Sequence, residues 1–127
     1  MNKSSISNWL ELSTQDRQAI FAETAARKGL SLSAIEKDWW VVHTLAAIFS
    51  MKCADALVFK GGTSLSKGWN LIQRFSEDID LALDREFLGF SGQLSRQDIK
   101  KLRRKSYQFI TEVFTGELKN KFAEWGF

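Results

Sequence analysis

The sequence predicts an α/β chain of the α+β kind, a short mixed sheet flanked by helices. Apolar and alanine residues recur at helical spacing through 14–50 and again through 95–124, while two runs, 57–59 and 78–83, are too short and too regularly apolar or alternating to be helices. The 127 residues contain no proline, so nothing interrupts the helical stretches.

In chain order, Ala19, Ile20, Ala22, Ala25 and Ala26 mark a helix over 14–28, with Ser13 or Thr14 able to cap it and Gly29 able to end it. Ser33 with Glu36 three residues on has the form of a capping box. It opens a second helix whose apolar stripe is Ile35, Trp39, Val42, Ala46 and Phe49. Leu57-Val58-Phe59 stops at Gly61-Gly62, as a buried strand entering a turn does. Thr63 to Asn70 then looks like the first turns of a helix. Asp78 to Leu83 alternates with a period of two and predicts a second strand. Asp84 to Gly92 mixes turn residues with Phe87, Leu88 and Phe90, a loop expected to pack partly on the core. Ser95 and Asp98 predict another capping box, opening a long helix through Ile99, Leu102, Phe109, Ile110, Val113 and Phe114, weakened at Gly116.

At 14.5 kDa and 44% hydrophobic residues, this is material for one domain over 1–127 with an ordinary core, which excludes global disorder and collagen-like architectures. The parts are N-terminal helices over 14–50, a strand-turn-helix-strand unit over 57–83 and a C-terminal helix over 95–124. Cys53 is the only cysteine and cannot form an internal disulfide, and Met1 to Leu12 has no apolar signal region, so a reducing cytoplasm is expected. The longest apolar stretch, Trp39 to Met51, is too short to span a bilayer, and no membrane partner is expected. Net charge is +3 but uneven: +1 over 1–60, −2 over 61–90 and +4 over 91–127. An acidic middle before a basic tail suits a carboxylate metal site beside a surface for a polyanion, and equally suits mixed solvated faces.

The chemistry-bearing segment is Phe59-Lys60-Gly61-Gly62-Thr63-Ser64-Leu65-Ser66-Lys67, followed by Arg74-Phe75-Ser76-Glu77-Asp78-Ile79-Asp80-Leu81. On a strand, Asp78 and Asp80 project from one face and Ile79 and Leu81 from the other. Two carboxylates on one face are hard oxygen donors of the kind magnesium takes together with waters and phosphates. Gly61 and Gly62 let backbone N–H groups approach a phosphate. The helix start near Thr63, with the Thr63 or Ser64 hydroxyl, adds further donors. Each fragment alone also reads as ordinary structure, a plain turn and a solvated strand edge; the combination with fifteen residues between Gly62 and Asp78 is more specific. The Walker phosphate loop is absent. His43 and Cys53 have no partners at ligand or nucleophile spacing and read as structural. The cluster Lys100, Lys101, Arg103, Arg104 and Lys105 reads as a solvated face or a contact to RNA phosphates.

Lys60-Gly61-Gly62-Thr63 with Leu65, then Arg74, Ser76 and Asp78-Ile79-Asp80-Leu81, resembles the AbiEii/AbiGii toxin family within the DNA polymerase beta-like nucleotidyltransferase superfamily. Glu36-Lys37-Asp38-Trp39-Trp40 is similar to that family's helix preceding the motif. The resemblance covers roughly residues 30–85 and implies a nucleotidyltransferase fold. It also implies a cytoplasmic toxin of type IV toxin–antitoxin and abortive-infection systems, which act in phage defence. Asp78 and Asp80 would be catalytic residues holding two magnesium ions that bridge a nucleoside triphosphate and an attacking hydroxyl. Lys60, Gly61, Gly62, Thr63, Ser64, Lys67, Arg74 and Ser76 would form the nucleotide-binding set, although Arg74 and Ser76 could instead orient the strand. The implied partners are the triphosphate, an RNA acceptor such as tRNA, and a cognate antitoxin. The superfamily also needs a third carboxylate from a later strand, and neither Asp84, in a turn, nor Asp98, at a helix start, has that character. The chain is therefore expected to be an N-terminal portion of a larger protein. The rival reading is a non-catalytic module of the same fold that contacts an antitoxin or RNA.

Overall fold

The structure, a computed structural model, describes residues 3–60 and 78–127. In order these form α1 (Lys3–Glu11), α2 (Thr14–Lys28), α3 (Leu32–Phe49), a 3-10 turn (Ala54–Ala56), β1 (Leu57–Lys60), β2 (Asp80–Leu83) and a second 3-10 turn (Arg85–Leu88). There follow α4 (Arg96–Gln108), a π-helical segment (Phe109–Phe114) and α5 (Thr115–Trp125). The result is a helix-rich α+β chain. Among the described residues the sheet has two strands paired antiparallel, where a mixed sheet was expected. The helix expected from Thr63 to Asn70 lies outside the described residues.

The capping signals explain most of the helix ends. The Ser13 hydroxyl accepts from the Asp16 N–H at 3.0 Å, and Gly29 ends α2 in the left-handed conformation at φ 66°, which costs a residue without Cβ nothing. Ser95 and Asp98 form the reciprocal capping box on α4. The cap of α3 is Ser31, which accepts from Ala34 N–H, and not Ser33; the helix therefore begins two residues before the expected capping box would have opened it. Its buried side is also broader than expected. Ile35, Val41, His43, Ala47 and Ile48 are buried, while Phe49 is left exposed, because α2 and α5 both pack against this helix.

Helix α1 was not expected, since three serines and an asparagine dilute its short apolar pattern. It is held by tertiary contacts. Ile6 is fully buried, and the Arg17 guanidinium donates from Nε to the Trp9 carbonyl at 3.1 Å and from Nη2 to the Leu10 carbonyl at 2.7 Å, satisfying helix-end acceptors that α1 cannot satisfy itself.

The C-terminal helix runs through without a break at Gly116. Its irregularity lies earlier, in the π segment, where the Thr115 hydroxyl donates to the Ile110 carbonyl five residues back at 2.7 Å. Hydrogen bonding at i→i+5 widens the turn and brings residues five apart closer to one side than an α-helix would, and Phe109 and Phe114 reach the same core. That core is Ile48, Met51 and Cys53, with Leu57, Ile79, Leu81, Phe109, Phe114 and Leu118 packed on it.

A second cluster is aromatic. Trp9, Phe21, Trp39, Trp40 and Phe127 bring α1, α2, α3 and the last residue together, with ring centroids 5.0 to 6.4 Å apart. No helix among the described residues is long and apolar enough to cross a membrane.

Candidate functional site

The two strands set the geometry of the predicted site. Their register pairs Leu57 with Leu83, Val58 with Ala82, Phe59 with Leu81 and Lys60 with Asp80. Directly opposed residues share a face, so Leu57, Phe59, Leu81 and Leu83 form the side turned to the core, where Leu57 and Leu81 pack on Ile48, Met51 and Cys53. The other face carries Val58, Lys60, Ala82 and Asp80, with Lys60 and Asp80 both exposed.

Strand β2 begins at Asp80, two residues later than expected, because its ladder starts at the Lys60–Asp80 pair. Asp78 and Ile79 precede it but keep the alternation. Asp78 is exposed, Ile79 packs against the core, Asp80 is exposed, and Leu81 packs again. The apolar residues thus anchor the segment while the carboxylates face solvent. Lys60 and Asp80 are brought together across the ladder at the usual Cα spacing of about 4.5–5.5 Å. Gly61, Gly62, Thr63, Ser64, Lys67, Arg74 and Ser76 lie outside the described residues.

The other acidic residues considered are occupied. Asp84 caps the second 3-10 turn, its Oδ1 accepting from the Glu86 N–H at 2.9 Å. Asp98 accepts from the Ser95 backbone N–H at 3.1 Å; that bond and the Ser95 side-chain bond hold its carboxyl below the usual range. Among the described residues no group of three or more His, Cys, Asp or Glu side chains could hold a metal.

His43 and Cys53 are structural, as expected. The His43 Nδ1–H donates to the Trp39 carbonyl at 2.7 Å, and its ring stacks on Trp39 with centroids 3.7 Å apart. Burial lowers the His43 pKa, the carbonyl bond opposing this more weakly. Cys53 is a buried thiol whose pKa burial raises, with Glu117 adding to the shift, so it has little thiolate character.

The His43 shift has a measurable consequence. Its folded pKa lies below the unfolded value of about 6.5, so the unfolded chain binds the proton more readily. The His43 contribution to stability is therefore complete above that pH and is lost as pH falls toward and through the folded pKa. Urea unfolding at pH 8 and pH 5.5 should show a loss of stability at the lower pH that is smaller in His43→Gln. Equal losses in the two proteins would remove His43 as its source.

Sequence reasoning missed the cavity of about 440 Å3 beside the aromatic cluster, walled by Trp9, Phe21, Trp39, Trp40 and Phe127, with Arg17 and Glu36 among its polar residues. The neighbouring tryptophans in α3 were a visible signal, but Trp9 and Phe127 are distant in sequence and gave none. Among the described residues of the predicted site, Lys60, Asp78 and Asp80, none lines it.

These features define a class, a helix-rich α+β protein whose small sheet buries one apolar face and presents acid and base on the other. The family model described as nucleotidyl transferase AbiEii toxin, type IV toxin–antitoxin system, matches residues 44–124, well over half of the chain, and the chain belongs to that family. Its members are nucleotidyltransferase toxins of type IV toxin–antitoxin systems. No curated protein and no solved structure matches the chain.

Proposed function

We propose that this chain carries the two-aspartate half of a magnesium-dependent nucleotidyltransferase site of the DNA polymerase beta-like fold. It would transfer a nucleotide from a nucleoside triphosphate to an RNA acceptor such as tRNA, as a cytoplasmic toxin in phage defence opposed by a cognate antitoxin. The observation that carries the reading is the alternation at 78–81, in which Ile79 and Leu81 are fixed to the core while Asp78 and Asp80 face solvent.

Two exposed carboxylates supply hard oxygen donors of the kind magnesium takes together with waters and phosphate oxygens. Asp78 and Asp80 are the residues that would hold it. Bound there, magnesium would offset charge on the triphosphate and favour the ionised form of the attacking hydroxyl. Asp80, anchored by the ladder, would hold the metal ion at a fixed place, and Lys60 across from it would contribute positive charge beside the phosphates. Gly61, Gly62, Thr63 and Ser64 directly follow Lys60 and would cradle the β- and γ-phosphates, with Lys67, Arg74 and Ser76 completing the set. The acceptor hydroxyl gives up its proton to solvent and bonds to the α-phosphorus, and pyrophosphate leaves.

The test is transfer of label from each of the four nucleoside triphosphates to bulk RNA, with magnesium or with chelator, beside thermal unfolding under the same conditions. Ligand at ~100 times its dissociation constant adds about 2.7 kcal/mol to the folded state. The expected result is a magnesium-dependent shift with at least one triphosphate, together with labelled RNA. A shift without labelled RNA favours the non-catalytic module; neither signal overturns the reading.

A further inference from the structure

Helix α4 carries the strongest charge asymmetry in the chain. Its thirteen residues include six cations, Arg96, Lys100, Lys101, Arg103, Arg104 and Lys105, all exposed, against one carboxylate, Asp98. Asp98 is committed to its capping box with Ser95 and sits on the flank turned toward the protein. At 100° per residue the inward side is Asp98, Leu102, Ser106 and Phe109. The six cations fan over the remaining arc, along about 14 Å of helix, with Asp98 at its edge near Lys101.

An aromatic ring stands among these charges. Tyr107 is 70% exposed, the most exposed large hydrophobic among the described residues, and lies one turn from Arg103 and Arg104 and two from Lys100. A tyrosine that open to water contributes little to a core, whereas an exposed ring beside guanidinium groups is what an unpaired base stacks upon.

The π segment that continues this helix packs on the core. Phe109 stacks edge-on with Phe87 of the turn that follows β2, ring centroids 5.2 Å apart, and Phe109 packs on the same core as Ile79 and Leu81. The last basic side chain of α4, Lys105, lies over the Phe90 ring at 5.3 Å. The basic helix thus continues into a segment that packs on the same core as the strand segment carrying Asp78 and Asp80.

We propose that the exposed face of α4 is a binding surface for single-stranded RNA, its lysines and arginines taking the phosphodiester backbone while Tyr107 stacks on an unpaired base. The choice of RNA over other polyanions rests on the proposed transfer reaction, whose acceptor strand this face would hold. Charge alone would suit an anionic membrane or an acidic protein as well. The exposed tyrosine within the charged arc favours a strand with unstacked bases.

The test is binding of a fluorescent single-stranded RNA by anisotropy across a salt series, without triphosphate or magnesium, so that failure of transfer and failure of binding are read separately. For single strands the logarithm of affinity falls with the logarithm of salt at about 0.7 per neutralised phosphate. The double variant Lys100→Gln, Arg104→Gln should flatten that slope by about 1.4 while leaving the far-UV circular dichroism unchanged. Tyr107→Ala should weaken binding on the order of tenfold at fixed salt, and Tyr107→Phe should restore it, because the ring face is retained. An unchanged slope in the double variant, or equal losses in Tyr107→Ala and Tyr107→Phe, overturns the proposal. So does tighter binding to phosphatidylserine vesicles or polyglutamate than to RNA under the same conditions. RNA binding that behaves as described in a protein that transfers no nucleotide would keep this surface and remove the transfer reading.

Discussion

Asp78→Asn and Asp80→Asn are each expected to reduce nucleotide transfer on the order of 100-fold or more while leaving the fold intact. Each substitution keeps the size of the side chain and removes the negative charge a divalent cation needs, and charge stabilisation of this kind is worth several kcal/mol in a transition state, with tenfold in rate for each ~1.4 kcal/mol. Both residues are exposed, so the change should move folding stability by no more than about 0.5 kcal/mol. Asp80 lies opposite Lys60 across the ladder, so its variant removes a cross-strand neighbour of opposite charge at a further cost of ~0.2–1 kcal/mol. Transfer of labelled nucleotide and urea unfolding are measured on the same preparations. Full activity in either variant would mean that the carboxylates form only a solvated strand edge. Loss of activity in step with loss of structure would give them a structural role. Ile79→Asn serves as the contrast, since it strikes the anchored side of the same segment and should lose structure first.

Much of this frame was legible because its determinants are local. Ser13, Gly29, Ser95 and Asp98 each act within one helical turn, and the ends they predict are the ends observed. The alternation from Asp78 to Leu81 is equally local, and it separates core side from solvent side even where the ladder has not begun. What was not legible depends on residues far apart in the chain. Helix α1 exists because Arg17 reaches back to its terminal carbonyls and Ile6 finds a buried place, neither of which short-range periodicity encodes. The buried side of α3 spreads past its expected stripe because two other helices pack on it. The π segment is invisible to a 3.6-residue period, and glycine's low helix propensity placed the weak point at Gly116, whereas the helix widens just before it and Phe109 and Phe114 reach one core. The candidate site divides along the same line. Asp80 was predicted on a strand and stands opposite Lys60 on the exposed face, with Asp78 exposed just before the ladder, whereas the aromatic cavity joins residues from both ends of the chain.

Trp39→Ala should be the most destabilising single substitution in the N-terminal half, at about 3–5 kcal/mol. Trp39 meets five rings, those of Trp9, Phe21, Trp40, His43 and Phe127, and so ties α1, α2, α3 and the chain's last residue into one cluster. Truncation removes the buried area of an indole together with ring contacts worth roughly 0.5–1.5 kcal/mol per pair beyond that area. A chain of this size has about 5–15 kcal/mol of stability in all, so the variant would lose a large share of it. With a urea dependence of about 1–3 kcal/mol per molar, the midpoint should fall by about 1 to 5 M when followed by circular dichroism, which does not depend on the lost fluorophore. Trp40→Ala is the control from the neighbouring position. Its ring is 44% exposed and touches fewer partners, so its loss should cost clearly less. The backbone carbonyl that accepts from His43 survives in Trp39→Ala, but the stacked ring that dries the imidazole does not. The His43 pKa should therefore rise toward its ordinary value, and the acid sensitivity assigned to His43 should weaken in the same variant. A cost below about 1 kcal/mol, or an acid sensitivity that persists unchanged, would show that the N-terminal helices are held by something other than this ring cluster.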